Sequence, residues 1–210
     1  MPTADPSNPP DGTETDTLRA AKAALRTRIR AARAVPESAS ASSARTASAL
    51  ELCAGHRVIA LYASAGDEPD TWPLIDALYA EGRTVLLPLL GRRPDGSVRR
   101  DPDWARYAGR DRLRLGYASI PEPVGPGLGT EGLAAATLVW CAGLAATVSG
   151  DRLGTGGGWY DRALPFAAPE ALIAVLLRDS EVLPTLPVEP FDQPIGAIVT
   201  ETRVLRAARE

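Results

Sequence analysis

Five short, nearly continuous apolar runs are separated along the chain by helix-like and loop-like segments. Continuous apolarity is typical of strands that are buried on both faces, as in parallel sheets. Strands are therefore predicted at residues 57–63, 84–88, 137–141, 172–177 and 195–199. Because strands of this kind joined by helices indicate an α/β fold, we predict a three-layer α/β/α sandwich with a mostly parallel, Rossmann-like sheet.

Helices are predicted at residues 17–34, 36–54, 71–81 and 159–166. The first ends at Val35 and Pro36, because proline disfavours helical backbone in the residue before it, and the third ends at Gly82, a typical residue after a helix. Residues 91–115 are charged and are left unassigned, and residues 116–130 form a Pro- and Gly-rich loop.

Length and composition predict one domain. The chain has 210 residues, of which 45% are hydrophobic, and a domain takes roughly 150 residues. Residues 1–16 are rich in Pro, Thr and Asp and are expected to form a disordered tail, which leaves residues 17–210 as a single α/β domain.

Charge and hydropathy exclude several classes of protein. A net charge of −3 argues against a nucleic-acid partner. No apolar run approaches the roughly 18 residues of a membrane span, and the N-terminus lacks the pattern of a secretory signal. We therefore expect a cytoplasmic protein with small-molecule partners, no membrane partner, and a monomeric state.

The cysteines and the single histidine suggest no chemistry. Cys53 and Cys141 each lie in an apolar context and are expected to be buried thiols. His56 is the only histidine, which excludes His-rich zinc sites, and it is interpreted as a structural residue of a turn.

The segment from Asp151 to Arg162 places four glycines within five positions, at Gly154 and at 156–158. Glycine backbones approach a ligand closely and can turn their N–H groups toward an anion. A Walker A loop is excluded because Trp159 follows the last glycine. The segment predicts a phosphate-binding loop before a helix, the alternative being a flexible surface turn.

Lys22 and Arg26 are four residues apart and therefore share one helix face. Lys22 is the only lysine among 23 basic residues, and a compact ammonium differs from a planar guanidinium in the groups it binds. The pair is either a polyphosphate-binding pair or an ordinary solvated helix face.

Three aspartates each allow two interpretations. Asp161 and Asp192 supply the hard oxygen ligands that Mg²⁺ prefers beside a triphosphate; alternatively, Asp161 pairs with Arg162 or caps a helix, and Asp192 organises a turn. Asp70 precedes a predicted helix, so it is either an N-cap or a carboxylate that accepts N–H donors from a heterocyclic substrate.

Together these segments resemble the 5-formyltetrahydrofolate cyclo-ligase family, also called 5,10-methenyltetrahydrofolate synthetase, from about Leu18 to Glu201. The strongest element is residues 152–162. It is supported in order by residues 22–26, 68–71, 120–123, 187–192 and 199–201.

The resemblance implies roles for individual residues. ATP would be bound by Lys22, Arg26, Arg152, Leu153, Gly154, Thr155, Gly156, Gly157, Gly158, Trp159 and Tyr160. The folate would contact Ala65, Asp70, Trp159 and Tyr160, and Mg²⁺ would be held by Asp161 and Asp192. The residues implied in catalysis are Lys22, Arg152 and Tyr160.

The resemblance also implies a reaction, the ATP- and Mg²⁺-dependent conversion of 5-formyltetrahydrofolate to 5,10-methenyltetrahydrofolate with release of ADP and phosphate. ATP would phosphorylate the N5-formyl oxygen, N10 would attack the activated carbon, and phosphate would leave. The glycine loop would fix the in-line geometry while cations stabilise the phosphates in transit.

The chain departs from the family pattern at five positions. Ala142, Ala146 and Thr147 stand where the family usually has Pro and then Phe-Asp, Thr155 where some members have a basic residue, and Trp159 in place of Tyr or Phe. These departures leave open two alternatives: a paralogue with the same ATP site and another substrate, and a nucleotide-binding regulator without turnover.

Overall fold

The computed structural model describes residues 12–93 and 95–207, with side chains from residue 15 onward. The helices are α1 Gly12–Arg33, α2 Ala39–Leu52, α3 Trp72–Ala80 and α4 Trp159–Ala163. The strands are β1 Val58–Ala60, β2 Thr84–Pro88, β3 Trp104–Arg106, β4 Leu113–Leu115, β5 Pro121–Pro123, β6 Leu138–Cys141, β7 Ala145–Ala146, β8 Arg152–Leu153, β9 Leu172–Leu176, β10 Ala197–Val199 and β11 Val204–Arg206. Short 3-10 helices lie at Arg110–Arg112, Tyr117–Ser119, Thr130–Ala135, Leu164–Phe166 and Asp179–Glu181.

The main sheet has seven strands in the order β11-β10-β9-β6-β1-β2-β3. Its five central strands are parallel, with Ile59 opposite both Val85 and Leu138, and the two edge strands β3 and β11 are antiparallel. β4 pairs with β5, and β7 pairs with β8, as separate hairpins. The predicted α/β fold with a mostly parallel sheet is confirmed.

The sheet is buried on both faces, because successive strand residues point to opposite sides. In β6, Leu138 and Trp140 pack toward α2 and α3, whereas Val139 and Cys141 pack toward Tyr160 and the other residues of α4. The helices on the second face are short, so that layer is built from α4 and the 3-10 helices. Because both faces of the sheet are covered, nearly every residue of the central strands is apolar.

Helix α1 packs beside the sheet, on the β7–β8 hairpin. Ile29 is buried against Leu144, Ala145 and Leu153, and Leu25 packs on the same cluster. This contact brings one face of α1 to the loop that follows β8, where the glycine cluster lies.

The helix and strand boundaries differ from the predicted ones at two informative places. The first predicted strand, residues 57–63, ends at Ala60 in the structure, and Tyr62 and Ala63 line a cavity instead. Helix α1 begins at Gly12, so residues 12–16, assigned above to a disordered tail, are helical; acidic residues such as Asp16 favour the first turns of a helix because they complement its dipole. The rest of that predicted tail, residues 1–11, lies outside the described residues.

Cys53 and Cys141 are buried and unpaired, as predicted. Burial raises the pKa of both thiols to about 11, which keeps them protonated and unreactive. His56 lies beside Thr137, with its Nδ1 2.8 Å from the threonine hydroxyl. Within the described part of the chain, no helix is long and apolar enough to cross a membrane.

Candidate active site

The glycine cluster forms the loop between β8 and α4. Gly156 has φ +110° and Gly158 has φ +61°, backbone conformations that glycine adopts without the strain a Cβ brings. Gly158 is the N-cap of α4, the residue just before the helix. Because α4 has only five residues, its dipole is small and adds little positive potential for an anion.

Helix α1 holds this loop through two arginines. Arg26 Nε donates to the carbonyl oxygen of Gly154 at 3.0 Å, and Arg30 Nη2 donates to that of Thr155 at 2.7 Å. The two arginines are four residues apart and therefore lie on the same helix face. The interpretation of Lys22 and Arg26 as a solvated helix face is thus wrong for both, since Lys22 is 4% exposed and Arg26 is bound to the loop.

Lys22 lies between two carboxylates. Its Nζ is 2.7 Å from Glu189 Oε2 and 2.5 Å from Asp192 Oδ2. Asp192 lies in a turn, and its Oδ2 also accepts the Glu189 N–H at 2.8 Å. The interpretation of Asp192 as a turn residue therefore accounts for this hydrogen bond but not for the contact with Lys22. Glu189 is 8% exposed and was not among the predicted site residues, although it lies only three residues before Asp192.

Arg152 pairs with Asp161 in the same region. Arg152 Nη2 donates to Asp161 Oδ1 at 2.5 Å, and its Nη1 donates to the carbonyl oxygen of Ala142 at 3.2 Å. The Arg152 Nε is buried and has no hydrogen-bond partner in the described part of the chain. Asp161 was considered as a partner of Arg162, whereas the structure pairs it with Arg152.

Two cavities open on either side of the glycine loop. A polar cavity of about 220 Å³ is lined by Arg19, Lys22, Arg26, Gly154, Gly156, Gly158, Asp161, Glu189, Phe191 and Asp192. A more apolar cavity of about 120 Å³ is lined by Tyr62, Ala63, Glu68, Pro88, Leu90, Ile120, Ala142, Arg152, Gly154, Thr155, Gly157, Gly158, Trp159, Tyr160 and Asp161. The apolar cavity includes residues that follow the carboxyl ends of β1, β2 and β6, the expected position for ligands in such sheets. The polar cavity adjoins it across the glycine loop.

The apolar cavity has an aromatic wall. The ring centroid of Trp159 lies 5.0 Å from that of Trp104 and 4.9 Å from that of Tyr160, both in edge-on geometry. The Tyr160 hydroxyl donates to the carbonyl oxygen of Trp140 at 3.4 Å, and burial raises its pKa well above the ordinary value. Tyr160 therefore presents a neutral ring to the cavity.

Besides Asp161, the carboxylate that lines this cavity is Glu68, two residues before the predicted Asp70. Asp70 is exposed, and its Oδ1 accepts the Trp72 N–H at 2.9 Å at the start of α3, as an N-terminal cap would. Asp70 lines a different cavity, beside Arg33 and not beside Trp159. The Ala65 N–H donates to Glu68 Oε2 at 3.0 Å, and burial raises the pKa of Glu68.

Two predicted loop residues face away from the polar cavity. Leu153 is 1% exposed and packs under α1, so its side chain supports the loop. Thr155 lines the apolar cavity. Of the departures noted above, Ala142 lines the apolar cavity, whereas Ala146 and Thr147 are fully buried, and the Thr147 hydroxyl bonds to Asp151 at 2.9 Å.

The structure is that of an α/β protein in which a glycine-rich loop lies between two cavities. One cavity is polar, and the other has an aromatic wall. A family model described as the 5-formyltetrahydrofolate cyclo-ligase family matches residues 17–201. The chain belongs to this family, and it is therefore an enzyme, a ligase of folate one-carbon metabolism.

Individual relatives agree with this assignment. A 5-formyltetrahydrofolate cyclo-ligase of Mycolicibacterium smegmatis is 33% identical over 73% of this chain and 78% of its own length. The Escherichia coli K12 protein with the same description is 30% identical over 70% of this chain and 79% of its own length.

Solved structures are similar over most of the chain. The NMR structure of Aquifex aeolicus 5,10-methenyltetrahydrofolate synthetase has a TM-score of 0.72 at 25% identity, covering 90% of this chain and 94% of that one. The corresponding Mycoplasma pneumoniae protein has a TM-score of 0.64 at 14% identity, covering 86% and 98%, and supports the fold alone.

Proposed function

We propose that this enzyme converts 5-formyltetrahydrofolate to 5,10-methenyltetrahydrofolate, with ATP and Mg²⁺ required and with ADP and phosphate released. The observation that carries the proposal is the shared wall of the two cavities: Gly154, Gly158 and Asp161 line both. A phosphate bound by the loop from the polar side would therefore adjoin a substrate held in the aromatic cavity.

In this proposal the polar cavity binds ATP. Lys22 and Arg26 face it from α1, and the backbone of residues 154–158 offers N–H groups to the phosphates. Lys22 and Arg152 are both buried cations, so each interacts with a phosphate through a medium less polar than water and therefore more strongly. Trp159 and Tyr160 would separate the nucleotide from the folate, and Leu153 would support the loop from beneath.

Mg²⁺ would be held by Asp161 and Asp192 of the polar cavity; because the described residues contain no group of three His, Cys, Asp or Glu side chains arranged for a metal ion, phosphate oxygens and water would supply its other ligands. Asp161 Oδ1 is bound by Arg152, and Asp192 Oδ2 is bound by Lys22. The second oxygens, Asp161 Oδ2 and Asp192 Oδ1, have no hydrogen bond within residues 15–93 and 95–207, so each leaves one hard ligand available. A metal held there would neutralise charge on the phosphates.

The folate would occupy the aromatic cavity. Its ring would pack against Trp159 and Tyr160, and the Glu68 carboxyl would accept or share N–H donors of the heterocycle. Ala65 and Asp70 then act indirectly: the Ala65 N–H fixes the Glu68 carboxyl, and Asp70 fixes the start of α3.

The reaction joins these parts in two steps. The γ-phosphoryl group moves from ATP to the formyl oxygen and ADP leaves, with Lys22 and Arg152 stabilising the transferred charge. N10 then attacks the formyl carbon and loses its proton, and the carbon–oxygen bond breaks as phosphate leaves. Phosphorylation is needed because an amide-like oxygen is a poor leaving group, whereas phosphate is a good one. The loop holds the phosphoryl group in line between the two oxygens.

The test is to mix purified protein with ATP, Mg²⁺ and 5-formyltetrahydrofolate and to follow the near-ultraviolet absorbance of the methenyl product. We expect the absorbance to grow in the complete mixture and to stay flat when ATP or Mg²⁺ is omitted. A flat trace from protein that binds ATP would refute the proposed substrate, and growth without ATP would refute the mechanism. A monomeric state and a cytoplasmic location stay predictions from the sequence.

A further inference from the structure

Glu122 is a buried carboxylate that lines neither of the two cavities beside the glycine loop. It lies in β5, within the β4–β5 hairpin, and is 1% exposed. A carboxylate is rarely buried so completely unless it is paired and hydrogen-bonded, because its charge loses contact with water. The partners of Glu122 therefore indicate what the buried charge does.

The carboxylate of Glu122 binds the chain segment that follows β2. Its Oε2 accepts the Leu90 N–H at 2.7 Å and the Gly91 N–H at 2.6 Å. Its Oε1 accepts from Arg114 Nε, on the neighbouring strand β4, at 3.0 Å. Hydrogen bonds to an ionised carboxylate are roughly twice as strong as those between neutral groups. Glu122 therefore joins residues 90–91 firmly to the β4–β5 hairpin.

The fit around this carboxylate is close enough to require glycine on both sides. A Cβ added at Gly91 would lie 2.7 Å from Glu122 Oε1, and one added at Gly116, directly after β4, would lie 2.5 Å from Glu122 Oε2. The carboxylate is therefore enclosed between two backbone segments. An alanine at Gly116 would displace the carboxylate from its two N–H partners.

Both segments that Glu122 joins also form walls of the aromatic cavity. Pro88 and Leu90 line it from the segment after β2, and Ile120 lines it from the hairpin. The cavity holds only about 120 Å³, below the roughly 300–1,000 Å³ of pockets for drug-sized ligands, so a small displacement of either wall changes much of its shape. Among the described residues, the polar cavity includes none from either segment. Glu122 therefore acts on the shape of the aromatic cavity and not on that of the polar one.

We propose that Glu122 is a positioning residue for the folate: it holds Leu90 and Ile120 at the aromatic cavity and thereby sets the affinity for the substrate without contacting it. This inference rests on the proposed function, because it takes a folate as the occupant of that cavity. Without Glu122, both side chains have to be ordered when the folate binds, and ordering two side chains weakens binding by about 5- to 150-fold. ATP binds on the other side of the glycine loop, so its affinity does not depend on Glu122.

The experiment measures kcat and the KM of each substrate from the methenyl absorbance of the purified enzyme. Glu122→Ala should raise the KM for 5-formyltetrahydrofolate by about 5- to 150-fold and leave the KM for ATP unchanged. The value of kcat should change much less than the KM for folate, because a wall that acts on substrate and transition state alike affects binding and not turnover. Glu122→Gln should retain most of the affinity, since its amide oxygen can still accept both N–H groups.

Two further variants separate positioning from stability. Gly116→Ala keeps the charge but displaces the carboxylate, so it should also raise the KM for folate, and it tests the inference should Glu122→Ala fail to fold. The matched control is Glu181→Ala. Glu181 is 4% exposed, accepts from Arg33 Nε at 2.7 Å and from the Arg178 N–H at 2.9 Å, and lines neither cavity. This control should lower the urea midpoint and leave the KM for folate unchanged.

The outcomes separate this inference from the proposed function. An unchanged KM for folate in Glu122→Ala and Gly116→Ala, equal rises for folate and ATP, or an equal rise in Glu181→Ala would overturn the positioning role while leaving the cyclo-ligase reaction intact. A Glu122→Gln variant that binds folate as weakly as Glu122→Ala would overturn the role of the two N–H bonds. An unmodified enzyme that binds no folate and forms no methenyl product would overturn both the inference and the proposed function.

Discussion

Replacing Lys22 by methionine would remove the positive charge that holds Glu189 and Asp192 together. The Lys22 side chain is 5% exposed, and those of Glu189 and Asp192 are 8% and 15% exposed. Methionine keeps most of the length and the apolar stem of lysine, so the ammonium group is the main loss. Asp192 would then lose its cation, and Glu189 would keep only the more distant Arg19, whose Nε is 3.9 Å from Glu189 Oε1.

The expected cost follows from this burial. Removing one partner of a buried ion pair costs about 3–5 kcal/mol. Asp192 keeps some contact with water and retains the Glu189 N–H bond, so we expect the lower end, about 3 kcal/mol. For a chain of this size 1 kcal/mol corresponds to about 2–4 °C, which gives a Tm lower by about 6–12 °C. The typical total stability of about 5–15 kcal/mol leaves the variant folded at room temperature.

The assay is urea unfolding followed by tryptophan fluorescence, together with the methenyl absorbance. We expect Lys22→Met to be folded, destabilised and without turnover. In the triple variant Lys22→Met/Glu189→Gln/Asp192→Asn no buried charge is left unpaired, so at least half of the lost stability should return. A Lys22→Met variant as stable as the parent, or a triple variant as unstable as the single one, would refute the reasoning about charge. Near-normal turnover of Lys22→Met would remove Lys22 from the site.

Three further predictions concern single residues. Gly156→Ala should weaken ATP binding by about 5- to 150-fold, because an alanine at φ +110° costs about 1–3 kcal/mol; Gly157→Ala, where an added methyl meets nothing within 4 Å, is the matched control, and equal losses would contradict a conformational cause. Burial raises the pKa of Glu68 above its ordinary 4.5, so the folded state binds its proton more tightly and stability falls as the pH rises through that window. Glu68→Gln should flatten the fall in urea midpoints measured from pH 4 to 8, and an unchanged slope would count against it. The thiols of Cys53 and Cys141 should react with a thiol reagent in denaturant but only slowly in the native protein, and rapid native labelling would show that they are accessible.

The central strands were predictable because both of their faces are covered. Residues 84–88 were assigned without error, since a continuous apolar run bounded by Gly82 and a charged stretch has few other interpretations. The edge strand β3 was missed: it has three residues inside the charged segment 91–115, and its pairing with β2 is a tertiary contact. The local sequence of a short strand does not indicate which distant strand it will pair with.

The sequence suggests the residues of the candidate site, but it does not indicate the contacts among them. The glycine loop and its neighbouring charges stand out in the sequence, because few structural roles call for four glycines in five positions. The partners of those charges do not stand out, because they are distant in the chain: Lys22 and Glu189 are 167 residues apart. Glu68 was missed for a different reason. It lies two residues from Asp70 in the same motif, and only the path of the loop decides which carboxylate faces the cavity.

The pairing of charges explains how this site is stable without its ligands. Lys22 and Arg152, the two cations proposed to bind phosphate, are held by Asp192 and Asp161, the two carboxylates proposed to bind Mg²⁺. Each buried charge therefore has a partner of opposite sign within the protein, which offsets the cost of removing it from water. In the proposed function, the cations would gain phosphate partners and the carboxylates would gain the metal at the same time, so the charges would remain balanced. Removing one member of either pair leaves the other unbalanced in both states, which is why a single neutral substitution here affects stability as well as turnover.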